Sequence, residues 1–216
     1  RRRRRSARTV PASEEGSPLR IGLFGGTFDP PHIGHVTVAR DVADALDLDM
    51  VLWIPAGAPP HKPGEEVSSA ELRLEMAEAA AEADRRFQVT DMELQREGPS
   101  FTVDTLRAMR REHPGADLFL IVGADQLKVL DTGWRAPGEI LSMATLVVMD
   151  RDGEDAVAVA PRIPGIERLL HVPVTRIDLS SREIRRQVAE GRDPSGAVPA
   201  AVAAIVRREG LYRRER

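Results

Sequence analysis

The sequence predicts an α/β protein: a Rossmann-like, doubly wound parallel sheet in a single domain. Short apolar runs of strand length alternate along the chain with longer segments whose apolar residues recur at helical spacing. The 216 residues show no internal repeat and suffice for one substantial core. Such alternation predicts parallel strands with right-handed crossovers, helices on both faces, and ligands at the carboxyl ends of the strands.

The first predicted unit is a buried strand over Ile21–Phe24 and a following helix with an apolar face at Val38, Val42, Ala45 and Leu46. The remaining predicted elements are a strand over Met50–Ile54, a Pro/Gly-rich loop over Pro55–Gly64, a helix over Ser69–Ala83, a strand over Phe87–Thr90, a helix over Thr102–Glu112, a strand over Leu118–Val122, a helix over Trp134–Leu141, strands over Thr145–Met149 and Leu169–Val174, and two closing helices. The polar stretch Asp150–Gly165 is expected to be mobile, and Trp53 is expected in the core.

Composition restricts the class of protein. There is no Cys, hence no disulfide framework, and no stretch approaches the roughly 18 apolar residues of a membrane span, so we expect a cytoplasmic protein. Residues 1–20 hold seven of the 31 Lys and Arg but two of the 34 Asp and Glu, which leaves 24 basic and 32 acidic side chains and a formal charge of −8 elsewhere. We interpret residues 1–18 as a disordered basic tail instead of a nucleic-acid arm, because no aromatic residue interleaves, and residues 19–216 as the folded domain.

The most informative segment is Gly25–His35, which reads GGTFDPPHIGH between the first strand and helix. Glycines let the backbone approach a bulky anion, and the helix start points N–H groups at it. His32 and His35, three residues apart, lie on one helical face and can contact the same phosphate, while Gly34 leaves room above the turn. The spacing fits neither a P-loop nor the dinucleotide fingerprint.

Two other interpretations of this segment exist. The glycines could form an ordinary tight connection with the histidines as incidental caps. A zinc site is the second, but the chain has no Cys and no third ligand nearby. Phosphate binding therefore remains the leading hypothesis.

A second polar cluster, Ser180–Arg185, follows a predicted strand and opens a helix. A capping box between Ser180 and Glu183 would account for the serine and the glutamate. It would not account for Arg182, Arg185 and Arg186, since cations oppose the dipole at a helix start. A bound polyphosphate would reverse that penalty.

Together these strings resemble the two signatures of the HxGH nucleotidylyltransferase superfamily, and GGTFDPPHIGH is similar to the bacterial nicotinate mononucleotide adenylyltransferases. Ser180, Ser181, Ile184 and Arg185 match the second signature, Ser-Ser-Thr-x-Ile-Arg, with Arg182 at its Thr. The resemblance implies that His32, His35 and Arg185 are catalytic. It also implies an ATP-binding set: Gly25, Gly26, Thr27, Phe28, Lys62, Gly123, Asp125, Ser180, Ser181 and Arg182.

Lys62 lies in the string Pro59-Pro60-His61-Lys62, which in this family is expected near the ATP phosphates. A rigid polar loop is the alternative, and Ala58 stands where many relatives carry Asn. The string Gly123-Ala124-Asp125 matches a family Gly-x-Asp, whose Asp is expected to bond a ribose hydroxyl. An Asp that caps the next turn is the competing explanation.

The acceptor half of the site rests on Ser100–Leu106, similar to the family's Ser-aromatic-Thr-x-x-Thr-Leu segment beside the pyridine nucleotide. It implies substrate contacts from Ser100, Phe101, Thr102 and Thr105, although Ser100 or Thr102 could be a helix N-cap. In the family an aromatic residue near Trp134 stacks on the nicotinate ring. A helix-starting core anchor is the other interpretation of Trp134.

The expected reaction is attack of the 5′-phosphate of nicotinate mononucleotide on the α-phosphorus of ATP, giving deamido-NAD and pyrophosphate. Mg²⁺ is expected to be bound through the ATP phosphates, with no dedicated protein ligands. The expected partners are ATP and the mononucleotide, with neither nucleic acid nor membrane. Transfer to nicotinamide mononucleotide or another acceptor, and a nucleotide-sensing or nucleic-acid-binding module, are the rivals; the choice between monomer and homo-oligomer is left open.

Overall fold

The computed structural model describes residues 17–57, 67–150 and 166–213. Its centre is one sheet of six parallel strands in the order β3-β2-β1-β4-β5-β6. The strands are β1 Arg20–Gly26, β2 Met50–Pro55, β3 Phe87–Val89, β4 Asp117–Gly123, β5 Thr145–Asp150 and β6 Leu170–Pro173. The predicted fold class is confirmed.

Helices connect the strands. They are α1 Ile33–Ala45, α2 Ala70–Ala81, α3 Thr102–Glu112, the short α4 Ala124–Leu127 and α5 Leu130–Gly133, α6 Pro137–Met143, α7 Ser181–Ala189 and α8 Ala200–Arg208, with a 3-10 turn over Ile166–Arg168. The two closing helices predicted from the sequence are α7 and α8. Helix α3 has its predicted bounds. Helix α2 is one residue shorter at its start and two at its end than predicted, and its N-cap Ser69 accepts a hydrogen bond from Leu72 N–H at 3.3 Å.

The strands are buried on both faces, which is why they read as continuous apolar runs. All six residues of β2 are buried, and successive residues of β1 enter two core layers on opposite faces of the sheet. Phe24 and Trp53 pack into the layer with α1, α2 and α8, whereas Leu23 packs with α3 and α6. Trp53 is fully buried, so its predicted core position is confirmed.

The strand order creates a crevice between β1 and β4. The chain moves outward from β1 through β2 to β3 and then returns to place β4 on the other side of β1. Crossovers therefore diverge at the carboxyl ends of these neighbours, the place where open α/β sheets bind ligands. Gly25-Gly26 ends β1 and Gly123 ends β4, so the two predicted glycine elements border the same crevice.

One predicted element is wrong. The segment Trp134–Leu141 does not form one helix, because Trp134 is extended (φ −105°, ψ 141°) after α5 and Ala136 is left-handed (φ 53°) before α6. Pro137 explains the break: it lacks a backbone N–H donor and suits the first turn of a new helix. The stretch predicted to be mobile lies outside the described residues from 151 to 165.

Candidate active site

The loop between β1 and α1 is shaped by an aromatic side chain. Phe28 is 1% exposed, although its backbone is left-handed at φ 51°. Its ring centroid lies 5.0 Å from that of Trp53. A Cβ atom on Gly26 would lie 2.8 Å from the Phe28 ring, so only glycine fits there. The buried Phe28 side chain therefore anchors the loop to the core.

His32 and His35 are adjacent at the start of α1. His32 is the N-cap, 3% exposed, and its backbone N–H donates to Nδ1 of His35 at 3.1 Å. The two rings lie 3.7 Å apart between centroids, at an angle of 32°. Since Nδ1 of His35 accepts a hydrogen bond, the neutral His35 ring carries its hydrogen on Nε2. The predicted placement of both imidazoles on one face is confirmed.

Gly34 makes this stacking possible. A Cβ atom there would lie 3.0 Å from Nδ1 and Cε1 of the His32 ring. The His35 ring also packs edge-on against the ring of Phe28, with 5.2 Å between ring centroids. The room predicted above the turn is thus occupied by the His32 imidazole, and core packing fixes the orientation of His35.

Helix α7 is joined to this loop by two hydrogen bonds. Ser181 Oγ donates to the backbone carbonyl of Pro30 at 2.9 Å, and Arg185 Nη1 donates to that of Asp29 at 2.8 Å. The two sequence signatures therefore meet directly. Helices α1 and α7 both begin beside this loop, so the positive ends of their dipoles converge there with the Arg185 guanidinium. Several N–H groups at the start of α1 already have acceptors: that of Ile33, for example, donates to the carbonyl of Ala197 at 3.0 Å.

The predicted capping box at Ser180 is only half formed. Ser180 Oγ accepts from the backbone N–H of Glu183 at 3.1 Å. The Glu183 carboxylate instead accepts from Arg186, at 2.7 Å, and from Gln187. Glu190 also accepts from Arg186, and Glu183 raises the pKa of that guanidinium. The charge of Arg186 is therefore balanced within the helix, whereas the Arg185 guanidinium donates to the β1–α1 loop.

A cleft of about 940 Å³ opens beside this loop, at the carboxyl ends of β1, β2 and β4. Its walls contain ten of the residues singled out from the sequence: Gly25, Gly26, Thr27, Ser100, Phe101, Thr102, Thr105, Gly123, Asp125 and Trp134. The histidine pair and the α7 residues border the loop outside these walls. Gly25–Thr27 belong to both parts, which are therefore joined at the end of β1. We call the part with His32, His35 and Arg185 the phosphate end, after its predicted ligand, and the other part the cleft.

Helix α3 contributes one wall of the cleft. Thr105 Oγ1 donates to Glu93 Oε1 at 2.7 Å, and Ser100 Oγ donates to the Glu93 carbonyl at 3.4 Å. The N-cap of α3 is Phe101, whose side chain makes no capping bond, so the N-cap interpretation of Ser100 and Thr102 is wrong. Glu93 is a cleft carboxylate that the sequence did not predict. The polar Thr105 within α3 was the only indication that a hydrogen-bond partner lies nearby.

Asp125 lies at the opposite wall, in the first turn of α4. It is exposed, and its carboxylate accepts from Gln126 Nε2 at 3.2 Å. The N-cap of α4 is Gly123 and no side chain caps it, so the capping explanation of Asp125 is not supported. A Cβ atom on Gly123 would lie 2.5 Å from Asp125 Oδ1. The glycine therefore lets this carboxylate fold back over the end of β4.

Trp134 lines the far end of the cleft. Its indole packs partly against the second core layer, and its Nε1 is buried without a hydrogen-bond partner among the described residues. Next to it the Arg135 guanidinium lies 5.1 Å from the Phe101 ring centroid, a cation–π distance. Arg135 is a second cleft residue that sequence reasoning missed, since neither spacing nor motif brings it to α3.

Lys62 lies outside the described residues, so its predicted contact stays a prediction. Among residues 17–57, 67–150 and 166–213, no cluster of three His, Asp or Glu side chains is arranged to hold a metal ion. Within the same ranges, none of the helices is long and apolar enough to span a bilayer.

A family model of cytidylyltransferase-like proteins matches residues 23–187, which include both signatures and most of the cleft. The chain belongs to this family. It is 44% identical over 196 residues to a protein of Thermus thermophilus named "Probable nicotinate-nucleotide adenylyltransferase", covering 90% of this chain and 100% of that one. A protein of Thermomicrobium roseum with the same name is 41% identical over 197 residues, with 90% and 92% coverage.

Solved structures of low sequence identity share the fold. Nicotinic acid mononucleotide adenylyltransferase of Plasmodium falciparum, complexed with NaAD, superimposes with a TM-score of 0.72 at 14% identity, over 89% of this chain and 97% of that one. The same enzyme complexed with APC gives a TM-score of 0.71 at 14% identity, over 90% and 97%. These superpositions show that the chain shares its fold with the Plasmodium enzyme.

Proposed function

We propose that this protein transfers the adenylyl group of ATP to nicotinate mononucleotide, producing deamido-NAD and pyrophosphate. The observation that carries the proposal is the meeting of His32, His35 and Arg185 at the start of two helices, beside a cleft large enough for a nucleotide. Relatives named nicotinate-nucleotide adenylyltransferase, at up to 44% identity over nearly their whole length, support the same activity.

The reaction needs no protein nucleophile. An oxygen of the mononucleotide 5′-phosphate forms a bond to the α-phosphorus of ATP, and the bond from that phosphorus to the bridging oxygen of pyrophosphate breaks. Charge develops on the phosphorus oxygens and on the leaving group. The site therefore has to align two anions and neutralise charge, which accounts for catalysis by imidazoles, N–H groups and a guanidinium.

Each residue of the phosphate end has a role in this scheme. The Nε2–H of His35 and the imidazole of His32 would contact the ATP phosphates, together with the N–H groups of Gly25–Phe28 and the positive end of the α1 dipole. Arg185, helped by Arg182, Lys62 and the hydroxyl of Ser180, would hold the leaving pyrophosphate, while the Ser181 hydroxyl anchors α7 to the loop. The existing bond from Arg185 to Asp29 leaves its other N–H donors for this purpose.

The donor set suits phosphate and does not suit a hard cation. The side chains at this end are imidazoles, hydroxyls and guanidinium groups, whereas Mg²⁺ prefers oxygen ligands. Mg²⁺ would therefore be held by the phosphate oxygens of ATP, and when bound it would neutralise part of their charge. The protein would position that complex through the phosphates.

The cleft would hold the nucleosides. Trp134 and Phe101 offer aromatic faces for the pyridine ring, and Ser100, Thr102 and Thr105 lie on the same wall. Asp125 and Gly123, at the end of β4, are suited to ribose hydroxyls of the adenylyl group. The Plasmodium enzyme, which shares this fold, is complexed with NaAD, and this supports the same kind of dinucleotide as the product here.

The proposal is tested by pyrophosphate release from ATP and Mg²⁺, with nicotinate and nicotinamide mononucleotides in parallel. The expected result is a kcat/KM at least tenfold higher with nicotinate mononucleotide, which corresponds to about 1.4 kcal/mol. Preference for nicotinamide would reassign the acceptor. Release with neither mononucleotide would exclude the proposed reaction.

A further inference from the structure

A buried hydrogen-bond network surrounds the side chain of Asp29. This carboxylate has no role in the proposed adenylyl transfer. The side chain is 1% exposed. Oδ1 accepts from the hydroxyl of Tyr212 at 2.6 Å, and Oδ2 accepts from the backbone N–H of Ser68 at 3.1 Å. A buried carboxylate is costly unless its oxygens are hydrogen-bonded, so these donors determine where Asp29 can lie.

The second buried charge in this region is Arg73, which is 4% exposed. Its Nη1 donates to the carbonyls of Ala56 at 2.7 Å and Thr27 at 3.2 Å, and its Nε donates to that of Ser68 at 3.2 Å. The backbone of Ser68 is therefore held on both sides, by Asp29 at its N–H and by Arg73 at its C=O. The network joins the ends of β1 and β2 to the start of α2.

Tyr212 brings the chain segment after α8 into this network. It has a left-handed backbone at φ 63°, unusual for a residue with a side chain, and follows Gly210 at φ 62°. Burial and the adjacent carboxylate raise the pKa of Tyr212, so the phenol remains a donor to Asp29. A hydroxyl 183 residues away along the chain thus bonds the loop that carries the first signature.

The network connects to the phosphate end by two short routes. The carbonyl of Asp29 is the acceptor for Arg185, so the orientation of the Asp29 peptide directs that guanidinium. Only Pro30 and Pro31 separate Asp29 from His32, and their rings fix φ. A displacement of Asp29 would therefore move both the Arg185 guanidinium and the His32 imidazole.

We propose that Tyr212 and Arg73 are positioning residues of the reaction. Tyr212 holds the Thr27–Pro30 loop through the Asp29 carboxylate, and Arg73 holds it through the Thr27 carbonyl, in the conformation that aligns His32 and Arg185. This inference rests on the proposed function. Neither Tyr212 nor Arg73 lines the cleft; Arg73 reaches its wall only from behind, through the backbone carbonyls of Thr27 and Ala56. Removal of the Tyr212 hydroxyl should therefore lower kcat and leave the KM for the mononucleotide nearly unchanged.

The test compares Tyr212→Phe, which removes one hydroxyl, with Arg208→Gln as a matched control. Arg208 lies at the end of α8 and makes an exposed ion pair with Glu75 of α2 at 2.7 Å, outside the network. We expect Tyr212→Phe to lower kcat about tenfold, with KM within about twofold, because a hydrogen bond to a buried charge is lost. The control should keep the wild-type kcat, and thermal unfolding shows that each variant is folded at the assay temperature.

Two further variants separate positioning from general stability. Arg73→Lys keeps the charge but carries all its donors on one nitrogen, so it cannot reproduce the bonds that Arg73 makes from Nε and Nη1, and it should lower kcat in the same way. Asp29→Asn and Tyr212→Phe should combine non-additively in kcat, since the first removes the charge of the acceptor and the second removes the donor of the same hydrogen bond. If Arg73→Lys does not fold, Tyr212→Phe alone carries the test.

A wild-type kcat in Tyr212→Phe, with only a lower Tm, would overturn the positioning role. Amide hydrogen exchange in peptides covering residues 23–36 gives a readout that needs no acceptor: it should be faster in Tyr212→Phe than in Arg208→Gln. If the wild-type protein uses neither mononucleotide, the proposed function fails, and this exchange difference alone decides whether Tyr212 holds the loop.

Discussion

Arg185 donates a hydrogen bond of 2.8 Å to the backbone carbonyl of Asp29, which lies 156 residues earlier in the chain. One turn before it, Ser181 donates to Pro30 at 2.9 Å. Helix α7 is thus docked onto the β1–α1 loop by residues of both signatures. The guanidinium is oriented before any nucleotide arrives, which reduces the reorganisation that the reaction would require.

Arg185 and Arg186 form a matched pair for mutagenesis, since they are neighbours on α7 in different surroundings. Arg185→Gln should lower kcat/KM by about a hundredfold, as expected for loss of one charge-stabilising donor. Arg186→Gln should change it less than about twofold, because Arg186 is paired with Glu183 and Glu190 on the exposed face. Steady-state pyrophosphate release measures both. Equal losses would show that general helix charge, and not Arg185 itself, matters.

His35 has a structural contribution that can be separated from its chemical one. His35→Gln places a side chain that can still accept from the His32 N–H, as in a capping box, so the Tm should be near that of the wild type. Its kcat should fall about a hundredfold because the imidazole donor is gone. His35→Ala should lose the same activity and also about 1 kcal/mol of unfolding free energy. Full activity in His35→Gln would exclude the imidazole from phosphate contact.

Trp134 provides a spectroscopic test of the acceptor site. The chain has two tryptophans, and Trp53 is fully buried in the core. Titration with nicotinate mononucleotide should therefore change the intrinsic fluorescence through Trp134 alone. In Trp134→Phe the change should disappear, and the KM for the mononucleotide should rise about threefold to tenfold, the scale of a lost aromatic contact. A fluorescence change that survives Trp134→Phe would place the pyridine ring elsewhere.

Two glycines near the site should respond differently to alanine. A Cβ atom on Gly57 would lie 2.4 Å from the Glu93 carbonyl and 2.6 Å from Ser100 Oγ, so Gly57→Ala should lower the free energy of unfolding by about 2 kcal/mol. A Cβ atom on Gly25 meets nothing within 4 Å. Gly25→Ala should keep its Tm but lower kcat/KM about tenfold by intruding where the phosphates approach. Urea unfolding and steady-state kinetics distinguish the two.

Acid stability should depend on Asp84. Hydrogen bonds from Arg86 lower the pKa of Asp84 from 3.8 to about 2. A depressed pKa in the folded state stabilises above the unfolded value, so this contribution is complete above about pH 4 and lost as the pH falls to about 2. Asp84→Asn should cost about 1 kcal/mol at pH 7, a value reduced for partial exposure, and progressively less as the pH falls through about 2. A difference independent of pH would contradict this assignment.

Local sequence was sufficient for the elements whose signals are local. The apolar strands, the helix bounds and the placement of His32 and His35 on one face follow from period, capping chemistry and a three-residue spacing, all of which act between near neighbours. The crevice was also predictable, because alternation of strands and helices restricts the topology to a few right-handed arrangements. The break at Trp134 was missed because an apolar segment can be divided by one proline without changing its composition.

By itself, then, the sequence determined the α/β class, the order of the elements and the residues at the start of α1 and α7. Only the tertiary structure decided which of them meet. The bond from Arg185 to Asp29, the Glu93–Thr105 pair and the Asp29–Tyr212 network join positions that are 156, 12 and 183 residues apart. No local propensity encodes such pairings, since they form only when packing of the whole core brings distant segments together and buries their polar groups.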